Sequence, residues 1–231
     1  MRNKIFNSTV VFILVMLCAA FDAHAQSPVT PILEKMDRHS KSLVTLEADV
    51  AMSKFNAQLG VADPTYNGKV WYVPGKNPQQ MRIRLDWISP VQEQMLIASG
   101  QYRIFRPKLR QAFEGSVDKA RNNAQAANPL AFLSMNRDQL RANYTVSYIG
   151  VESVGRGQIL TSRIQLIPKD RTRYRQADLW VDADGMPIKA TVVATNGDST
   201  TIVISNAAKN KTLDAKLFSI KLPDGTKIIK D

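Results

Sequence analysis

From residue 81 the chain reads MRIRLDW, with Met81, Ile83, Leu85 and Trp87 alternating against Arg82, Arg84 and Asp86. A period of two marks a half-buried strand, because successive side chains leave opposite faces of the pleat. The pattern recurs upstream, where LEADVAMS sets Leu46, Ala48, Val50 and Met52 against Glu47, Asp49 and Ser53. NGKVWYVPG, EQMLIASG, QYRIFRP and RQAFEG are further short runs bounded by Pro or Gly. After an interruption at 118–140, NYTVSYIGVE, QILTSRIQLIPK, RQADLWVDADG, MPIKATVVATNG, DSTTIVISNAA and LFSIKLPDG resume the alternation. Asp184-Gly185 and Asn196-Gly197 between such runs predict tight hairpin turns.

Two segments break the period. VTPILEKMDRHSKSL places Ile32, Leu33, Met36 and Leu43 near helical spacing, which predicts one amphipathic helix over 29–43 with Pro31 in its first turn. Asn128-Pro129 followed by LAFL predicts a second, short helix with a capping residue and a first-turn proline. With no repeat, no low-complexity linker and no long block of like charge, the pattern predicts a mainly β fold with some α. It is one antiparallel sheet large enough to curl into a half-open barrel, carrying helices.

The first 25 residues change the length that has to fold. Arg2 and Lys4, the apolar run from Val10 to Ala20, and Ala23-His24-Ala25 have the layout of a cleaved export signal. The run is shorter than the ~20 residues needed to span a bilayer. Leu17 precedes Cys18 where lipoprotein processing needs a small residue, so Cys18 belongs with the signal. Residues 26–231 are then expected to form a single exported domain.

Charge and chemistry narrow the function. Of 231 residues, 31 are Lys or Arg and 20 are Asp or Glu, a net +11 that loss of the signal lowers by one. An exported basic protein is expected to meet anionic lipid headgroups, acidic patches on other proteins or nothing specific, rather than nucleic acid. With no cysteine after residue 25 and His39 as the one remaining histidine, disulfides, a thiol nucleophile and multi-histidine metal sites are excluded. No nucleophile elbow, phosphate loop, dinucleotide fingerprint or zinc-protease motif is present. Asp182 and Asp184, beside Gly185, are turn residues more simply than a catalytic pair. Neither catalysis nor a cofactor is expected. What is abundant is apolar β surface with adaptable methionines, suited either to a solid core or to a cavity for flexible chains.

The order of the motifs resembles the periplasmic outer-membrane lipoprotein carrier family, LolA. Gly68-Lys69-Val70-Trp71 is similar to its G-x-l-W strand, MRIRLDWISP to its next strand, and MLIASGQYRIFRPKLRQA to the segment that follows. Asn128 to Leu133 stands at the place of its mid-chain helix, Ile164 to Lys169 resembles its L-x-P-K strand end, and LDAKLFSIKLPDGTKII its C-terminus. The resemblance implies a half-open antiparallel barrel with a helical lid, a periplasmic monomer that shields the acyl chains of lipoprotein or lipid cargo. It also implies an inner-membrane release complex and an outer-membrane acceptor as partners.

The cavity lining expected on that basis is Leu33 and Met36; Leu46, Val50 and Met52; Met81, Ile83, Leu85 and Trp87; Met95 and Ile104; and Phe132, Leu133 and Met135 on the lid. The family has an arginine before the proline that follows the G-x-l-W strand; here Val73 precedes Pro74, and Lys76, the nearest base, is the candidate lid latch. The alternative is a partner-binding sensory or regulatory module on the same lipid-binding scaffold.

Overall fold

A computed structural model describes residues 28–77, 79–117, 135–170 and 174–230. The expected export signal, Phe132, Leu133 and the expected helix around them lie outside the described residues. Helix α1 is Val29–Ser42 and helix α2 is Arg137–Asn143. The strands are β1 (Leu46–Asn56), β2 (Val61–Ala62), β3 (Tyr66–Val73), β4 (Arg82–Ser89), β5 (Glu93–Ala98), β6 (Gln101–Arg106) and β7 (Gln111–Ser116). They continue with β8 (Tyr144–Val154), β9 (Ile159–Pro168), β10 (Gln176–Val181), β11 (Pro187–Val193), β12 (Ser199–Lys209) and β13 (Lys227–Lys230).

All belong to one curled sheet in the order β13-β7-β6-β5-β4-β3-β1-β12-β11-β10-β9-β8, with β2 attached to β1. β13 and β8 are its two edges, so the barrel is unclosed. Neighbouring strands are antiparallel except β13, which lies parallel to β7 with Lys227 opposite Gln111. The sequence pattern extends a strand through LFSIKLPDG; instead Ala215–Phe218 forms a 3₁₀ turn, and the strand begins after Gly225.

α1 forms because its apolar residues recur on one stripe. Ile32, Leu33, Met36 and His39 are buried, while Lys41 turns outward to pair with Asp37 at 2.7 Å. That stripe lies on the inner face of β9 to β11, against Ile164, Leu166, Ala177, Leu179, Ala190 and Val192. α2 closes the same cluster through Leu140, and the Arg141 guanidinium donates to the Thr30 hydroxyl of α1 at 3.0 Å. α2 is missed by the hydrophobic pattern, yet its start is written in the sequence. The Asn136 side chain accepts from the Gln139 amide at 2.9 Å, and the Gln139 side chain accepts from the Asn136 amide at 3.1 Å. This is a capping box.

The β10–β11 turn seats α1 closely. Gly185 adopts φ +92°, and a Cβ there would fall 2.3 Å from the Lys35 carbonyl carbon and oxygen. Asp182 shapes the turn by accepting from the amides of Asp184 at 3.0 Å and Met186 at 2.8 Å, the turn role its sequence context implies. Gly185→Ala combines left-handed strain with a backbone clash and is expected to cost at least about 2 kcal/mol. Urea unfolding followed by tryptophan fluorescence checks this; a loss no larger than the ~1 kcal/mol of an ordinary unstrained glycine replacement contradicts the close seating of α1.

Candidate functional site: the inner wall of the sheet

Strand register aligns two rows of apolar side chains across the inner face. One runs Ala48, Val70, Leu85, Met95, Ile104, Phe113; the other runs Leu46, Tyr72, Ile83, Ile97, Tyr102. Their burial changes along the rows. Ala48, Val70 and Leu85 are 1 to 3% exposed, whereas Met95, Ile104 and Phe113 are only half-buried. Leu46 and Tyr72 are likewise buried, and Ile83, Ile97 and Tyr102 half-buried. The inner face is therefore sealed under α1, at β1 and β3 and at Leu85 and Trp87 of β4, and it is only half-covered across β5 to β7.

Gly68 locally enables this packing. It stands opposite both Val50 and Trp87, and a Cβ there would lie 2.9 Å from the Trp87 ring and 2.3 Å from the Asp86 carbonyl oxygen. The missing side chain lets Trp87 fold over β3, where Tyr66 meets it edge to face at 5.8 Å between centroids. The glycine of the G-x-l-W element thus has a packing reason.

The expected lining residues divide into groups. Leu33 and Met36 are fully buried in the α1 cluster, with Met135 half-buried against it. Leu46, Val50, Leu85 and Trp87 form the sealed centre, and Met52, Met81, Ile83 and Met95 pack half-buried against that centre. Ile104 lies on the open wall beyond them. Lys76 is exposed in the β3–β4 turn, its amide donating to the Gln80 side chain at 3.3 Å.

Ile97, Tyr102 and Phe113 belong to the wall and are missed by the sequence pattern. In QYRIFRP and RQAFEG both faces of the strand are apolar, so alternation cannot choose between Ile104 and Phe105 or between Ala112 and Phe113. The register supplies the signal that the pattern lacks.

The second apolar face is explained by the C-terminal segment. Phe218, Ile220 and Leu222 cover Leu96, Ala98, Phe105 and Ala112 on the outer side of β5 to β7. Arginines pin this strap: Arg84 donates to the Ser219 carbonyl at 3.1 Å and Arg103 to the Ile220 carbonyl at 3.0 Å. Arg84, paired with Asp86, lies on the outer face as its alternation requires, yet it is buried beneath the strap rather than open to water. A hollow of about 360 Å³ remains there, lined partly by the Arg103–Glu114 ion pair and the Gln101 side chain. Those charges suit it poorly to an alkyl chain.

One ion pair, Arg106–Glu93 at 2.7 Å, stands at the margin of the inner wall with Arg106 over the Phe113 ring; the larger charged network lies elsewhere. Trp180, Arg163, Glu152 and Asp178 form an outer-face network: the indole N–H donates to Glu152 at 2.6 Å, and Arg163 reaches Glu152 at 2.8 Å and Asp178 at 2.9 Å. The indole bond first, and Arg163 second, hold the Glu152 carboxyl below its usual range. The Glu152 and Asp178 bonds raise Arg163 further. Ser40 and Ser42, beside His39, donate to the carbonyls of Asp37 and His39 at 3.0 and 3.1 Å, within the helix. Among the described residues no cluster of His, Cys, Asp and Glu could hold a metal ion, and no helix is long and apolar enough to cross a membrane.

Burial first, and Lys209 second, hold the His39 imidazole below its ordinary value, against the opposing pull of Asp182 and Asp184. The unfolded chain then binds a proton more readily than the folded one. Stability is therefore fully present above about pH 6.5 and falls as pH drops below it. Denaturation midpoints across that window are expected to decline more steeply in the wild type than in His39→Gln; parallel slopes contradict a buried, neutral His39. The wall makes a separate prediction. Leu33→Ala is expected to cost about 2 to 5 kcal/mol and Met95→Ala well under half as much, measured by urea unfolding, because Met95 faces a partly open side. Equal losses contradict the burial gradient.

The family described as "Outer membrane lipoprotein carrier protein LolA" matches residues 65–221. A search of curated protein sequences gives no significant match. Among solved structures, an uncharacterized conserved protein of Thermus thermophilus is similar over 88% of this chain and 99% of its own, with TM-score 0.55 and 9% identity. MucB is similar over 83% of this chain with TM-score 0.53 and 13% identity; this chain spans 62% of MucB's length. MucB has also been solved in complex with MucA(peri). At such identities these likenesses concern the fold alone.

Proposed function

We propose that this chain, which belongs to the outer membrane lipoprotein carrier protein LolA family, is a periplasmic carrier. It shields the acyl chains of lipoproteins, or of related lipids, for transfer to the outer membrane. The observation that carries this is the gradient along the two inner rows, which leaves a contiguous wall of Ile83, Met95, Ile97, Ile104 and Phe113 half-buried. Apolar surface aligned on a concave face and left partly open stands to gain about 0.8 kcal/mol for each methylene laid against it. Methionine at positions 52, 81 and 95 lets that wall adapt to chains without a fixed shape.

A carrier must also release its cargo. A wall that is half-covered already, and whose rows consist of apolar and aromatic side chains, binds by area rather than by directional bonds. Affinity then scales with chain length and falls when the chain finds a better apolar surface. Transfer needs no bond making or breaking, and no residue of this chain is assigned a catalytic role. Lys76, exposed in the turn leading into β4, is the candidate latch on the open side.

The test is native mass spectrometry of protein purified from the periplasm, and of the same protein after incubation with a triacylated lipoprotein. The expected result is a complex whose mass exceeds the bare chain by one acylated cargo. Ile104→Glu, placing a charge on the wall, is expected to weaken that complex about tenfold or more while leaving the thermal midpoint nearly unchanged. Bare polypeptide under both conditions contradicts carriage. Capture of an unacylated protein partner, insensitive to Ile104→Glu, would favour the alternative of a regulatory module.

A further inference from the structure

Exposed large apolar side chains occur at several places on the described surface, and three of them, Ile88, Val91 and Leu109, share one corner of the sheet. Register puts the β4–β5 and β6–β7 turns side by side at one end of the sheet: Trp87 stands opposite Glu93, Gln94 opposite Phe105, and Arg106 opposite Gln111. Ile88 near the end of β4, Val91 in the β4–β5 turn and Leu109 in the β6–β7 turn are 64, 45 and 60% exposed. Bases gather at the Leu109 side of this corner. Lys108 and Arg110 flank Leu109 in the chain, and the Lys227 amide of β13 donates to the Arg110 carbonyl at 2.9 Å. Arg110 also donates to the Asp224 carbonyl at 3.3 Å, so the strap brings Lys227 to the same corner. Of the acids here, Glu93 is consumed by Arg106 at 2.7 Å, which leaves Asp224 against Lys108, Arg110 and Lys227.

This corner also terminates the open part of the inner wall. The Arg106 guanidinium lies 5.1 Å from the ring centroid of Phe113, the last residue of one inner row. Apolar tips, flanking cations and the end of an acyl-binding wall therefore meet at one place.

We infer that this corner is a membrane-docking surface for an anionic phospholipid leaflet, with Ile88, Val91 and Leu109 entering the headgroup boundary and Lys108, Arg110 and Lys227 pairing with phosphates. Exposed aliphatic tips among cations are stabilised there twice, by apolar burial and by the negative surface potential. Neutral lipid offers only the first term and an acidic protein surface mainly the second. The docking goes beyond carriage itself: it states where the carrier meets a membrane, and it aligns the wall's open end with the lipid.

The experiment is co-sedimentation of the cargo-free protein with vesicles, one set of phosphatidylcholine alone and one with about a third phosphatidylglycerol. The wild type is expected to partition to the anionic vesicles well above the neutral ones and to be released by high salt. Lys108→Gln is expected to weaken partitioning about fivefold. Leu109→Asp and Val91→Asp are each expected to weaken it about tenfold. Val44→Asp, an equally exposed apolar site at the opposite end of the sheet, is the control and leaves it unchanged. The inference is overturned by equal partitioning to both vesicle types, by a loss at Val44→Asp matching that at Leu109→Asp, or by full binding of Leu109→Asp, which would indicate a purely electrostatic contact such as an acidic protein. Because no cargo is present, failure here is distinct from failure of acyl carriage.

Discussion

One helix cannot cover the inner face of a sheet this wide. α1 spans 14 residues, about 21 Å of helix, and its apolar stripe is consumed by β9 to β11. The two edges, β8 and β13, do not meet, and among the described residues no strand closes over the remaining inner face. What results is a molecule with a dry half and an open half joined by continuous rows of side chains. The sealed half supplies the stability: Leu33, Ile164, Leu166, Ala177 and Leu179 are wholly buried, and a buried Leu or Ile contributes about 1.5 to 3 kcal/mol. The open half is then free to keep an apolar surface that folding does not consume.

The outer face makes that division possible. The wall from β5 to β7 would be weakly held if its other side were bare, because its inner face is only half-covered. The C-terminal strap supplies the second face. Phe218, Ile220 and Leu222 pack on Leu96, Phe105 and Ala112, and guanidinium donations from Arg84 and Arg103 fix the strap's carbonyls. Charge-assisted bonds of this kind are stronger than neutral ones, and burial of Arg84 makes its bonds costly to break. The strap also lends β13 to the free edge of β7, which protects an otherwise unpaired strand. The open wall is rigid because its back is packed.

Much of this was legible in the chain. MRIRLDW reads as a strand with Ile83, Leu85 and Trp87 on one face, and register places them so. The Asp184-Gly185 turn reads as a hairpin, and it is one. α1 is visible from the spacing of Ile32, Leu33 and Met36 alone. The family follows from motif order, and Gly68 gives one of those motifs a packing basis. Other features were hidden for physical reasons. Where both faces of a strand are apolar, alternation vanishes, so Phe113, Ile97 and Tyr102 could not be assigned to a face. β13 pairs parallel to β7 although residues 117–226 separate them, a long-range contact that local patterning does not encode. Nor can periodicity separate a sealed residue from an open one on the same face: Leu85 and Met95 are cross-strand neighbours, yet one is buried and the other half-open.

Carriage as proposed requires acyl chains to lie along the open inner rows and not in the hollow beneath the strap. Photo-crosslinking with a fatty acid carrying a diazirine at its chain terminus, followed by peptide mapping, tests it most directly. Adducts are expected on Ile83, Met95, Ile97, Ile104 and Phe113, competed away by unlabelled acylated cargo. Adducts concentrated on Leu96, Arg103 and Phe218, around the outer hollow, would contradict it.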